Sequence, residues 1–525
     1  MRAAIVVAGW VWLGLGLGLG LGLGSSGCVY YLNPLCTDQI QNGDETGLDC
    51  GGTCGKCDLG QGCRTNNDCD EANCVAGVCT AFPCDNGKLD PGETDVDCGG
   101  GMCRACAGGR ACAVDADCFS GTCTPARTCS QITVSFAPED RYFSGYKAYA
   151  LLSGDLTGGG HTDLAVINEY GSSVAVFQNN YATGGTFARV ANPAGKPPDE
   201  PDNRALNFGP TGAYPTGGGV ADLDHNGTQD VVTADYHGNS VSVLLNRGGG
   251  LLDLGKATYA TQDKAETSNL AIGDLNKDGN PDVVATNPQR ASVSMFLSNA
   301  SGALDPAVNI PVGVSGGAQP YSAAIADFDG DGNNDLAIAE ETSGTIIVRL
   351  GHGDATFGPE VPYEIDGTRD YIILARDMNL DGKLDLVCAN RNGDTISVLL
   401  GRGDGTFRKA IVSSVGPPGM KCTGGPPCFG PYSIAVADIN HDGVPDIVTP
   451  NFVGNSVSIL IGLGDGHYAP AIELKYGPPT DPMFTTTTPY GIVAADFNGD
   501  GKVDFATANA GSDDLTVRLN IGTAQ

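Results

Sequence analysis

The chain has 525 residues, 78 of them glycine and 20 cysteine, with 61 acidic residues against 29 basic ones and a net charge of −32. So few bases exclude nucleic acid or an anionic lipid surface as the main partner, since both call for basic patches. The glycine argues against a helical bundle, and the cysteines against an ordinary cytosolic protein.

In chain order, residues 1–27 read as an export signal. Arg2 is the only charge before Asp38, residues 3–24 are apolar or glycine, and Ser25-Ser26-Gly27 supplies a small-residue exit. Cys28 follows directly. Small residues before a cysteine resemble the bacterial lipobox, although Ser25 stands where that motif usually has Leu. The resemblance implies that Cys28 is acylated and that a lipid anchor is the chain's only membrane contact. An uncleaved span is the alternative, because about 20 apolar residues can cross a bilayer. Residues 28–35 form a linker.

Residues 36–83 and 84–130 are two copies of one module. Each carries eight cysteines at nearly identical spacing, and Leu48-Asp49-Cys50-Gly51-Gly52 recurs as Val96-Asp97-Cys98-Gly99-Gly100. Each copy has too few large apolar residues to bury a core, so disulfides must restrict the unfolded chain instead. The pairing is open, because eight cysteines allow 105 connectivities. Zinc at Cys54-x-x-Cys57 and Cys103-x-x-Cys106 is the alternative. Cys28 is the thiol left over, which agrees with its acylation. Similar Asp-Cys-Gly-Gly modules occur on bacterial secreted and surface proteins.

Residues 131–525 contain a second repeat. Six segments fit D-x-[DN]-x-[DN]-G-x-x-D, starting at Asp222, Asp274, Asp327, Asp377, Asp438 and Asp496. A seventh, Asp155 to Asp163, keeps only the outer acids. Short β-branched runs separated by glycine turns give about four strands per repeat. Seven four-stranded units imply a propeller. The fold class is therefore all-β, a seven-bladed β-propeller preceded by two small disulfide-rich modules. The last repeat ends after its third strand, so the orphan strand 132–136 is expected to complete that blade and remove two open edges.

The loop chemistry suits a hard divalent cation, which takes 6 to 8 oxygen ligands. The candidate ligands are Asp222, Asp224, Asn226 and Asp230; Asp274, Asn276, Asp278 and Asp282; Asp327, Asp329, Asp331 and Asp335; Asp377, Asn379, Asp381 and Asp385; Asp438, Asn440, Asp442 and Asp446; and Asp496, Asn498, Asp500 and Asp504. Glycine at position 6 permits the positive φ that wraps the chain round an ion. The loop opens like an EF-hand but lacks Glu at position 12 and is flanked by strands. It resembles instead the FG-GAP/VCBS repeats of integrin α-subunit propellers and bacterial surface proteins, over about residues 131–525. That resemblance implies about six structural Ca²⁺ sites. The first repeat, with Thr157 and Gly159 at ligand positions, is expected to hold none. Asx turns without metal are the competing reading.

In an up-and-down blade, the calcium loop shares a face with the turn between strands three and four. Arg402-Gly403-Asp404 lies in that second turn, as one instance of a recurring Gly-x-Gly-Asp sequence. The opposite face receives the variable inter-blade connections: 188–215, 412–430 with a possible Cys422–Cys428 disulfide, and 476–489. Tyr149, Tyr321, Tyr371, Tyr432 and Tyr490 each precede a loop by six residues, which places five tyrosines at the start of innermost strands, either wedged between blades or forming a ligand rim. Gly313-Val-Ser-Gly-Gly317 mimics a nucleophile elbow without the strand–turn–helix setting it needs. Cys388 reads as a buried strand thiol. The expected function is a calcium-stabilised, lipid-anchored, monomeric binding or adhesion protein at a bacterial outer membrane or cell surface. Its ligand is a glycan or protein, bound opposite the calcium loops. The alternative is a propeller hydrolase or lyase acting on polysaccharide.

Overall fold

The computed structural model describes residues 41, 48, 50, 57, 61–65, 68–69, 72–81, 88–89, 92–100, 103–131, 133–181, 185–190, 214–253, 257–313, 318–366, 370–417, 427–477 and 486–523. The export signal, Cys28, Cys422 and Ser315 of the elbow-like segment lie outside the described residues. The chain divides into two compact units at Lys88/Leu89.

In the first unit, disulfides join Cys50 to Cys57, Cys63 to Cys74 and Cys69 to Cys79. A two-stranded hairpin, Ala72–Val75 with Val78–Ala81, places Cys74 opposite Cys79. The second module opens the second unit and repeats the pattern as Cys98–Cys106, Cys112–Cys123 and Cys118–Cys129. Cys103 is disulfide-bonded as well. Cys57, Cys103 and Cys106 therefore have no free thiol for zinc. The buried Asp117 organises this module: its carboxylate accepts N–H bonds from Ala113 (2.7 Å), Val114 (3.0 Å) and Gly100 (2.9 Å).

Seven four-stranded antiparallel sheets follow, six of them meanders of consecutive strands and the last closed by a strand from the start of the propeller. Their second strands are Asp163–Asn168, Asp230–Asp235, Asp282–Asn287, Asp335–Glu340, Asp385–Asn390, Asp446–Asn451 and Asp504–Asn509, and every residue in them is buried. Each has a sheet packed on both sides, which explains why runs such as DLAVIN lack the alternation of a half-exposed strand. The core thus lies between blades. Leu223, Val232 and Val241 of blade 2, for example, cluster with Leu270, Val283 and Phe296 of blade 3. First strands pack against one another round the axis, as Ala148–Gly154 does on Pro215–Ala221 and on Pro489–Ala495.

Closure differs in detail from the expectation. The fourth strand of the last blade is Asp140–Phe143, paired with Asp514–Arg518. Residues 133–137 run antiparallel beside 519–523, with Thr133 N–H to Thr523 O (2.9 Å) and Ala137 N–H to Leu519 O (2.8 Å), so they extend the blade without forming its fourth strand. Aromatic packing accounts for the arrangement. Phe136 packs edge-on against Phe505 (4.8 Å), while Tyr142 sits against Phe177 and Phe187 of blade 1. A partly buried charge cluster locks the seam. Arg141 binds Asp514 (2.9 Å) and Glu139 (3.4 Å), and Arg518 binds Glu139 (2.7 Å).

Candidate functional site

The aspartate loops have one common geometry. Position 1 takes the N–H groups of positions 5 and 6, except in the Asp327 loop, where it takes those of Gly330 and Gly332 at positions 4 and 6. Asp377 accepts from Asp381 (3.1 Å) and Gly382 (2.9 Å), and Asp438 accepts from Asp442 (3.0 Å) and Gly443 (2.9 Å). Position 9 fastens three strands. Asp385 accepts from Met378 N–H before the second strand (2.7 Å) and from Gly401 N–H after the third (2.8 Å). Asp230, Asp282, Asp335, Asp446 and Asp504 repeat this arrangement. Glycine at position 6 has the expected positive φ, 82° at Gly382. Position 4 is left-handed too, at Gly330 and Gly499 and also at His225, Lys277, Leu380 and His441, where Lys and Leu in particular seldom adopt it and give no sequence signal.

Adjacent loops are tied together at five of the seven blade junctions. The position-2 carbonyl of one blade is satisfied from the next, by Asn246 on Leu156 O (2.7 Å), Ala355 N–H on Leu275 O (3.0 Å), Gly405 N–H on Phe328 O (3.1 Å), Asn520 on Ile439 O (3.0 Å) and Asn179 on Phe497 O (2.9 Å).

Several observations fit a cation in these loops. Asp222, Asp224 and Asp230 offer oxygens within 4.8 Å of one another, as do Asp327, Asp329 and Asp335. Asp224 Oδ1 is buried without a hydrogen-bond partner. Burial pushes Asp385 up to about 7 and Asp335 and Asp504 to about 6, and it raises Asp230, Asp282 and Asp446 as well. A bound divalent ion would offset that desolvation, and hard oxygen donors suit one. The first loop is different. Thr157 Oγ1 donates to Asp163 (2.8 Å), putting a hydroxyl where the other loops place a carboxylate or amide.

On the opposite face the tyrosines form a plug rather than an open rim. The hydroxyls of Tyr149, Tyr321 and Tyr432 bond to one another, with Tyr321–Tyr432 at 2.7 Å, and the Tyr490 ring lies 4.5 Å from those of Tyr149 and Tyr432. Burial raises the Tyr149 and Tyr432 hydroxyls well above the usual tyrosine value. The Tyr371 side chain lies outside what is described. The five-fold spacing places these residues on or just before first strands, but it does not reveal that the rings would converge on the axis.

The accessible aromatics lie one layer out, on turns between second and third strands and their neighbours. Tyr170 is 60% exposed and packs edge-on to Tyr214 (5.6 Å), which meets His237 (4.8 Å). Lys147 Nζ lies 4.2 Å over the Tyr170 ring and 2.6 Å from Glu169. Tyr236 donates to Glu266 (2.6 Å). Phe452, with Arg391 over its ring (4.8 Å), connects this layer to Tyr490. These residues occupy the positions at which the repeats differ, so the repeat pattern does not reveal them.

The remaining sequence candidates are structural. Asp404 caps its own turn through Thr406, and Arg402 binds Phe407 O (2.9 Å), so Arg402-Gly403-Asp404 is a braced turn. Cys388 is a buried strand cysteine outside any disulfide. Cys428 is disulfide-bonded.

The fold and loops together define an aspartate-loop β-propeller. Residues 222–285, 274–338 and 377–449 match the FG-GAP-like repeat, and this region is an FG-GAP repeat propeller. No curated protein matches the chain. Among solved structures, it is similar to a streptogramin B lyase at 13% identity and TM-score 0.46, covering 74% of this chain and 98% of that one. It is also similar to an Agrocybe aegerita lectin described as recognising non-reducing terminal N-acetylglucosamine, at 20% identity and TM-score 0.40, covering 72% and 86%. The disulfides and repeats suggest an extracellular or cell-surface protein. Among the described residues, no helix is long and apolar enough to cross a membrane.

Proposed function

We propose that this protein is a calcium-stabilised, lipid-anchored binding protein of the bacterial cell surface that recognises a glycan or protein ligand on the propeller face opposite the aspartate loops. The observation that carries this reading is the asymmetry of the two faces. One repeats a single aspartate-rich loop in six blades, whereas the other presents a non-repeating surface of Tyr170, Tyr214, His237 and Lys147. Exposed rings beside charged and hydroxyl groups suit partners with an apolar face and polar edges, as sugars have. In this reading Ca²⁺, bound by the loop side chains at positions 1, 3, 5 and 9, is structural. Such sites bind with Kd of about 10⁻⁴ to 10⁻³ M in extracellular modules.

Glycan arrays, followed by partner capture from the cell surface, test this. The expected result is binding without turnover, lost in a Tyr170→Ala/His237→Ala double variant that keeps its melting temperature. Unchanged binding in that variant would refute the assigned face, and turnover of a polysaccharide would favour the hydrolase or lyase reading.

A further inference from the structure

The position-5 side chain is exposed in five of the six ligand-rich loops, at Asn226, Asp278, Asp331, Asp381 and Asp500. Blade 6 is the exception. Its Asp442 is 0% exposed and its Asn440 1%. What buries them is the second cysteine module, which belongs to the same compact unit.

The contact is specific. Gly108 N–H donates to Asp442 Oδ2 (2.7 Å), and Gln131 Oε1 accepts from Asn440 Nδ2 (3.4 Å). Arg104 pairs with Asp465 in the neighbouring turn of blade 6 (3.2 Å). Phe119 lies across both turns, and the positions it covers are glycines. A Cβ on Gly443 would stand 2.9 Å from Phe119 O, and one on Gly464 would stand 2.6 Å from the Phe119 ring. A Cβ on Gly108 would lie 2.7 Å from Asp442 Cβ, so the module's backbone approaches the loop as closely as glycine allows.

Building on the calcium reading above, we propose that the second cysteine module is a lid on the blade-6 loop, holding that loop's ion in slow exchange, and that seating the lid and filling the loop stabilise each other. Asp438, Asp442 and Asp446 share the loop beneath the module, and their mutual repulsion opposes docking until a cation neutralises it. The Gly108 N–H in turn orients one of the ligand carboxylates. Coupling of this kind is reciprocal: whatever tightens the lid tightens the ion by the same factor. Asp442 Oδ1 also accepts Val444 N–H (2.8 Å), so the carboxylate is held from both sides.

The test uses the full chain loaded with radioactive calcium and chased with EGTA. Six ions are expected, with one leaving roughly tenfold or more slowly than the rest, because its exit requires breaking lid hydrogen bonds and an ion pair. In Phe119→Asp, and independently in Arg104→Glu, the slow ion should join the fast population. The remaining fast ions report in the same experiment that the variant propeller is folded. Uniform release from the parent protein, or a slow ion that persists in both variants, would overturn the lid alone. Absence of bound calcium before the chase would overturn the calcium reading and the lid with it.

Discussion

The first blade and the fifth fasten their loops alike around different contents. In both, the position-9 aspartate takes one loop N–H before the second strand, from Thr157 in blade 1 and from Met378 in blade 5 (2.7 Å each), and one after the third strand (2.8 Å each). In blade 5 that Asp385 shares the loop with Asp377, Asn379 and Asp381; in blade 1, Asp163 receives the Thr157 hydroxyl instead. The aspartate fastening is therefore common to both loops. In the reading proposed above, the ion is an addition to it in the loops with carboxylates or amides at positions 3 and 5, and blade 1 forms without one.

The largest effect should come from removing the ion everywhere. With free calcium tenfold above Kd, each site contributes roughly 1.4 kcal/mol, and six together about 8 kcal/mol. Chelation should thus lower the melting temperature by about 10 °C. The chelated protein should also lose stability as pH rises from about 4 towards 7. Burial raises the folded-state pKa of Asp335, Asp385 and Asp504 above the unfolded value, so the folded chain binds more protons across that window and deprotonation penalises it. Calcium should flatten this slope in thermal scans.

Next in size are the fastening aspartates. Asp385→Ala and Asp163→Ala each orphan two buried N–H groups, costing about 2–6 kcal/mol in denaturant titrations. The comparison sharpens when both are repeated in EGTA. The cost of Asp163→Ala should be unchanged, whereas that of Asp385→Ala should be smaller than in calcium.

Much of this comparison was legible in the sequence. The loops announce themselves because the ligands, the position-6 glycine and the closing aspartate recur in register, and Thr157 and Gly159 mark the odd loop directly. The closing strand was only partly legible. Residues 132–136 and Asp140–Phe143 are both short, and the choice between them depends on partners more than 370 positions away, such as Asp514 for Arg141. Contacts of Phe119 and Gly108 with blade 6 leave no periodic trace at all, and neither does the convergence of Tyr149, Tyr321 and Tyr432 on one axis.

Smaller effects probe those less legible parts. Arg141→Ala should destabilise the seam by about 3 kcal/mol, because the buried Asp514 loses its ion-pair partner and keeps only the hydrogen bonds from Asn509 and Ser512. It should do so equally with and without calcium, as a fold contribution would. Tyr321→Phe should cost only about 1 kcal/mol, the worth of a shared hydroxyl bond, and leave ligand binding intact. Loss of binding in that variant would return the plug tyrosines to the ligand surface.

Native mass spectrometry of the calcium-equilibrated protein tests the central claim most directly. Six ions per chain are expected, falling to five in Asp377→Asn/Asp381→Asn and remaining six in Asp155→Asn. No bound ions, or seven with one lost from Asp155→Asn, would contradict the distinction between the first loop and the rest.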